Sequence, residues 1–341
     1  MRPRILVLAL VVSAFATASS GSPAPGSSPS PGPLVQPGEP WIVYNGGTDG
    51  PARIRLVRPD GTDDHTLVPD LIPEDPLGWQ QHPDWSHDGT RIAFGAEQDD
   101  GTQDIWVANA DGTGVVELYD CASPCGWADH PAWSPDDRTI AIMTATRVGD
   151  VDSTSALELI DVLTGSRRTV LSAPDLAWFY VPRWSPEGDR IVVEATRFAT
   201  ARFDEERAMA GTVGIIDLKQ DVPTFDSLLP WESFAAYPDW SPGGTRIVFS
   251  LPAPADDHDG PADLSILDLG TGTTMQLTHF AEGGGWAIQP SWTPDGSQVI
   301  FVGEDVVRTH PNVALIGGDG HGLTRLADSF FRTHPRMRPT R

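Results

Sequence analysis

Three histidines precede proline in the same local setting: His82 in HPDW, His130 in HPAW and His334 in HPRM, each three residues ahead of a tryptophan or methionine. Gln289 in QPSW, Val181 in VPRW and Tyr237 in YPDW hold the corresponding position elsewhere. Three imidazoles and an amide oxygen are reasonable ligands for manganese, zinc or iron, and they leave coordination positions open to water or substrate. A divalent metal on His82, His130, His334 and Gln289 is therefore the cofactor to look for. The competing reading is structural: His-Pro is a tolerated way to enter a strand, with the rings bonded to water or to neighbouring carbonyls.

A second set lies three residues further upstream and is aromatic in every copy: Trp79, Trp127, Trp178, Phe234, Trp286 and Phe331. With Tyr237 beside it, such a collar suits stacking on sugar faces or gripping apolar peptide side chains. Alternatively, each ring plugs the seam between adjacent structural units. Ser86, Ser134, Ser185 and Ser241 follow the motif tryptophans, and an element repeated this often is better explained by fold than by nucleophilic chemistry. GxSxG, HExxH and P-loop patterns are all absent from the chain, so α/β-hydrolase, common zinc-protease and nucleotide-hydrolase chemistries lack their ligands. The acidic stretches EQDDGTQD at 97 and ADDHDGPAD at 255 miss the EF-hand spacing and read as solvated turns. The insertion ARFDEERAMAG at 201 carries no recognisable chemistry.

These residues are positioned by a repeat. GWADHPAWSPDD at 126 recurs as GWQQHPDWSHDG at 78, AWFYVPRWSPEG at 177, SFAAYPDWSPGG at 233 and GWAIQPSWTPDG at 285. The second tryptophans, at 85, 133, 184, 240 and 292, are spaced by 48, 51, 56 and 52 residues, the period of a propeller or a related array. After each comes a turn, an apolar strand, a polar loop, a second apolar strand, a turn and a third strand. With the strand leading to the tryptophan, that makes four strands per repeat. FFRTHPRMRPTR at 330 repeats only the opening half, and WIVYNGG at 41 reads like the continuation RIAFGAE at 91. A C-terminal strand completing an N-terminal blade predicts an all-β, six-bladed propeller of four-stranded antiparallel blades, its ring closed without a large exposed edge. Equivalent positions on the innermost strands then encircle the axis, and Gln289, His334, His82 and His130 come from four consecutive blades.

The core HPDWSHDGTRIAF, followed by the strand DIWV and the turn ADGTG, resembles the TolB-like, WD40-like β-propeller repeat over residues 41 to 341. The resemblance implies a six-bladed propeller without the separate N-terminal domain that TolB carries. Oligogalacturonate lyases are propellers with a related repeat. They are similar in using histidines and a glutamine around a channel metal, although they have seven blades.

Composition bounds the setting. The 341 residues include 34 Gly, 32 Pro and 12 Trp with one lysine, Lys219, as expected of many short strands joined by tight turns. The formal net charge of -24 argues against nucleic acid and anionic membranes as partners. Arg2 and Arg4, an apolar run from Ile5 to Val12 and Ala16-Thr17-Ala18 read as a signal peptide over 1–18. It is followed by a disordered Pro/Gly/Ser-rich linker over 19–38 and the propeller over 39–341. The apolar run is too short to span a bilayer comfortably, so no transmembrane segment is expected. Export makes a Cys121–Cys125 disulfide the expected state of CASPC. The leading expectation is a secreted or periplasmic, monomeric, non-catalytic binding or scaffold module for a protein, peptide or cell-envelope glycan. The alternative is a metal-dependent, lyase-like carbohydrate-active enzyme.

Overall fold

The turn after each motif tryptophan is built by its own side chains. In the computed structural model, Ser86 Oγ donates to Asp88 Oδ1 at 2.7 Å and accepts the Arg91 backbone N–H at 2.9 Å. Gly89 closes the turn at φ +66°, a conformation that disfavours any side chain. Ser134 with Asp136 and Thr293 with Asp295 repeat the device at 2.7 and 2.6 Å. The repeated hydroxyls are thus engaged in turn formation.

The structure describes residues 35–36, 38–47, 52–68, 79–98, 101–148, 151–173, 177–198, 210–253, 260–304, 312–326 and 332–340. All of them belong to one unit, Gly32–Arg341. The expected leader over 1–18, most of the linker over 19–38, Phe331, most of the insertion at 201 and parts of both acidic stretches lie outside the described residues.

Strands Gln80–Trp85, Arg91–Glu97, Gln103–Asn109 and Val116–Tyr119 form one antiparallel sheet in chain order. The second strand is an apolar run with Ile92 and Phe94 fully buried, as expected where both faces of a sheet are covered. Among the described residues there are four such four-stranded sheets, together with one of eight strands. The sheet count therefore departs from the six separate blades expected. The eight-stranded sheet comprises two antiparallel runs, within 236–276 and 286–325, linked by a single parallel bridge between Ala262 and Trp286. One close backbone approach is enough to merge them.

The C-terminal strand Arg332–Met337 pairs antiparallel with Ile42–Gly46, placing Ile42 opposite Met337 and Gly46 opposite Arg332, and so completes the N-terminal sheet. The inner strands pack in succession: Gln80–Trp85, Cys125–Trp133, Ala177–Trp184, Ala236–Trp240, Trp286–Trp292 and Arg332–Met337, the last also against the first. Arg91, Arg190 and Arg246 stack over Trp133, Trp240 and Trp292 of the following unit at 4.3, 4.8 and 4.6 Å. Trp85 Nε1 donates to Arg336 O at 3.2 Å and Trp184 Nε1 to Ala132 O at 3.1 Å, so the motif indoles tie neighbouring units together. Cys121 and Cys125 are disulfide-bonded at the entry to one inner strand. Among the described residues no helix is long and apolar enough to cross a membrane.

Candidate functional site

Every inner strand breaks its register at the X-Pro pair of the motif. His82, His130, Val181, Tyr237, Gln289 and His334 all have positive φ, between 49 and 56°. The ladders shift between Gln81 and Asp84, Asp129 and Ala132, Tyr180 and Arg183, Ala236 and Asp239, and Ile288 and Ser291. Proline has no N–H to give the ladder, so it is tolerated where a bulge leaves a residue unpaired. The bulge turns the preceding residue into the left-handed region, at about 1–2 kcal/mol for a residue with a Cβ. Because Val181 shares this conformation with the histidines, the strain belongs to the fold. What differs between the units is the side chain that occupies each bulge.

At three bulges the occupant is an imidazole, and the three converge. His82 and His130 stack with centroids 3.7 Å apart, and His334 meets His82 edge-on at 4.1 Å. One ring nitrogen from each can be chosen such that all three lie within 4.8 Å of one another. Nδ1 of His130 and both ring nitrogens of His334 are buried and make no hydrogen bond among the described residues. Buried polar atoms are normally paired, because leaving one unpaired costs about 1–3 kcal/mol. An unpaired cluster of nitrogens is suited to an added Lewis acid. Burial and the neighbouring imidazole of His82 hold His130 well below the usual imidazole range. Burial, His82 and His130 do the same to His334. Both rings are thereby kept neutral, the form that coordinates a metal.

Asp129 was not singled out by the sequence. Its side chain is fully buried, with Oδ2 2.5 Å from His82 Nδ1 and 3.5 Å from His130 Nδ1; the His82 contact is an ion-pair approach outside hydrogen-bond alignment. Burial alone would raise its pKa, but His82 and His130 outweigh it and hold the carboxyl below its usual range. A carboxylate behind an imidazole fixes the ring and raises its basicity, as is usual around metal-binding histidines. Gly95 of the neighbouring sheet makes the space, since a Cβ there would lie 2.6 Å from Asp129 Oδ1.

The other expected site residues are dispersed. Gln289 Oε1 accepts the His334 backbone N–H at 2.9 Å, tying two inner strands together. Tyr237 lies 5.9 Å from His334, and its N–H donates to Glu194 Oε2 at 3.0 Å. Burial pushes the Glu194 carboxyl up to about 7. The aromatic set does not share one environment: Trp79 is 55% exposed, Trp178 is 2% exposed, and Trp127, Phe234 and Trp286 are intermediate. Trp127 reaches the cluster, 6.4 Å from His130, and donates Nε1 to Gln103 Oε1 at 2.5 Å. Trp231, which has no equivalent in other repeats, stacks beneath Arg197 at 3.8 Å.

Two residues further along the same strands lies a second ring, polar at every position but Ala132: Asp84, Ala132, Arg183, Asp239, Ser291 and Arg336, each immediately before a motif tryptophan or methionine. All six line a cavity of about 370 Å³ walled by the motif indoles and the prolines that follow them. Subtracting one position from each motif residue would have found it in the sequence. Its two arginines, Arg183 and Arg336, are buried, at 5 and 8% exposure.

Neither a protein-family model nor a curated protein matches the sequence. Solved structures do resemble the fold. TolB from Acinetobacter baumannii superposes with a TM-score of 0.63 at 16% identity, over 87% of this chain and 66% of that one. A putative TolB from Agrobacterium tumefaciens gives 0.59 at 19% identity, over 86% of this chain and 90% of that one. An oligogalacturonate lyase in complex with manganese gives 0.52 at 15% identity, over 85% of this chain and 73% of that one. At these identities the likeness is one of fold. The chain is a β-propeller of antiparallel four-stranded units, and its propeller is TolB-like.

Proposed function

We propose that this chain is an exported, six-bladed propeller, closed by its C-terminal strand. In this reading it is a binding module that carries a divalent transition metal in its channel on His82, His130 and His334 and presents the channel mouth to a peptide, protein or cell-envelope glycan. The observation that carries this is the convergence of three imidazoles whose buried nitrogens have no hydrogen-bond partner among the described residues, with Asp129 behind them. The uninterrupted succession of packed inner strands supports six-fold closure. The amino-terminal sequence supports export, and Trp79 and Trp127 supply aromatic surface at one end of the inner strands.

The test is the metal content of protein expressed from Gly32 without a histidine tag, measured by elemental mass spectrometry after growth with manganese, zinc and iron. Near-stoichiometric metal, lost on replacing His82, His130 and His334 with alanine, is expected. Folded wild-type protein that stays metal-free after supplementation refutes the site.

A second reading, a metal-dependent carbohydrate-active lyase, is favoured by the open positions a three-histidine set leaves around a metal. The neighbour crystallised with manganese is named for oligogalacturonate. The net charge of -24 opposes a polyuronate substrate. Manganese-dependent formation of unsaturated ends from oligogalacturonides would establish this reading, and inert substrate with fully loaded protein would remove it.

A further inference from the structure

The cavity at the tryptophan end of the inner strands is a separate chemical environment. Four of its six ring residues are ionisable, and their partners are unequally shared. Arg336 Nη1 donates to Ser291 Oγ at 2.6 Å and lies 3.1 Å from Asp239 Oδ2, while its Nε is 3.9 Å from Asp84 Oδ1. Asp84 and Asp239 each accept a backbone N–H of the next inner strand, from Trp133 at 2.9 Å and Trp292 at 2.8 Å. Arg183 differs. It is 5% exposed, its Nη1 donates to Pro182 O at 2.8 Å, and its Nε has no hydrogen-bond partner among the described residues. Burial and the facing Arg336 lower its pKa to about 10, which leaves it charged at neutral pH.

A buried guanidinium with an unpaired donor is costly unless an acceptor completes it. We propose that this cavity binds a singly charged carboxylate carried on an apolar or aromatic body, with Arg183 as its guanidinium partner. The planar fork of arginine matches a carboxylate's two oxygens. Asp84 and Asp239 line the same space and repel a doubly charged anion such as phosphate. The indole and proline walls take the apolar body, and about 370 Å³ is in the range of small-molecule sites. The carboxylate is either that of a free acid or the chain end of a peptide. The inference does not rest on the metal reading: Arg183 stands two residues beyond its strand's bulge, roughly 7 Å along a strand.

The test is calorimetric titration of the protein, treated with EDTA to remove any metal, with benzoate, phenylacetate and 3-phenylpropionate and with their neutral amides. A tripeptide ending in phenylalanine, with free or amidated carboxyl terminus, forms the second arm. Binding of at least one acid about ten- to a hundred-fold tighter than its amide is expected, the range for a charge-assisted hydrogen-bond pair. Arg183→Gln should abolish that preference, while Arg183→Lys should retain part of it. Preference among the free acids identifies a small metabolite as the ligand class, and preference confined to the free tripeptide identifies a peptide chain end. Equal binding of every acid and its amide, or a preference that survives in folded Arg183→Gln protein, overturns the proposal. If Arg183→Gln does not fold, the acid–amide comparison on wild-type protein decides. Acid binding that appears only when metal is restored assigns the carboxylate to the histidine cluster and overturns the proposal equally.

Discussion

Asp129→Asn tests the histidine cluster most directly, because it changes a charge without changing a shape. The carboxylate is fully buried and approaches His82 Nδ1 at 2.5 Å, so no solvent screens its effect on that ring. Replacing a carboxylate behind a ligating histidine costs about 10- to 100-fold in metal affinity. With free metal at about 1,000 times the wild-type Kd, binding stabilises the fold by about 4.1 kcal/mol. A hundred-fold weaker site at the same metal concentration gives about 1.4 kcal/mol. The difference, roughly 2.7 kcal/mol, amounts to a metal-induced rise in Tm smaller by about 5 °C for a domain of this size. Each protein is compared with and without metal, so that loss of the His82–Asp129 contact, which both states of the variant share, drops out of the comparison. The assay is thermal denaturation with and without manganese or zinc, paired with competition against a chelator for affinity. An unchanged metal-induced shift refutes the role given to Asp129. Loss of the metal-free fold would show instead that the carboxylate holds the channel together.

Other consequences concern the scaffold. The Glu194 pKa, raised by burial to about 7 from 4.5, means that folding favours the protonated form. Its contribution is fully present below about pH 4.5 and is lost as pH rises through 7, by at most about 3 kcal/mol. Glu194→Gln keeps an acceptor for Tyr237 N–H, so the variant should be more stable than wild type at pH 8 and equal to it near pH 4 in urea titrations. Arg91→Met removes a guanidinium 4.3 Å above Trp133 and should cost about 1 kcal/mol, with Arg91→Lys recovering part; no change in the urea midpoint would show that this seam gains nothing from the stack. Replacing both Cys121 and Cys125 with serine opens a crosslink four residues apart in sequence, which the chain-entropy relation values at about 2 kcal/mol. The double variant should keep its β circular dichroism with a lower Tm, and global unfolding would contradict so local a role.

Much of this architecture is legible in the chain because propeller units are local. Each turn is closed by residues within five positions of one another, as Ser86, Asp88 and Arg91 show, so its chemistry can be read without knowing the neighbours. The half-motif at the C-terminus and its missing continuation at Trp41 also foretell the pairing of Arg332–Met337 with Ile42–Gly46. The offset of the histidines from the tryptophan places them on equivalent strand positions. What periodicity could not supply is convergence. His82, His130 and His334 meet because their three strands pack side by side and each bulge turns its residue the same way, a fact of packing between distant segments. Asp129 was hidden for the same reason: it reaches the cluster across a gap left by Gly95 in another sheet, and nothing in its own repeat marks it out. Equivalent offsets also hide unequal fates. Trp79 and Trp178 occupy the same motif position, yet one is largely exposed and the other buried, because the surroundings of each ring come from neighbouring chain and not from the motif. The sequence by itself determined the repeat, its turns and the candidate ring of side chains. The tertiary structure alone decided which of those side chains share a site, since that depends on contacts between sheets that no single repeat encodes.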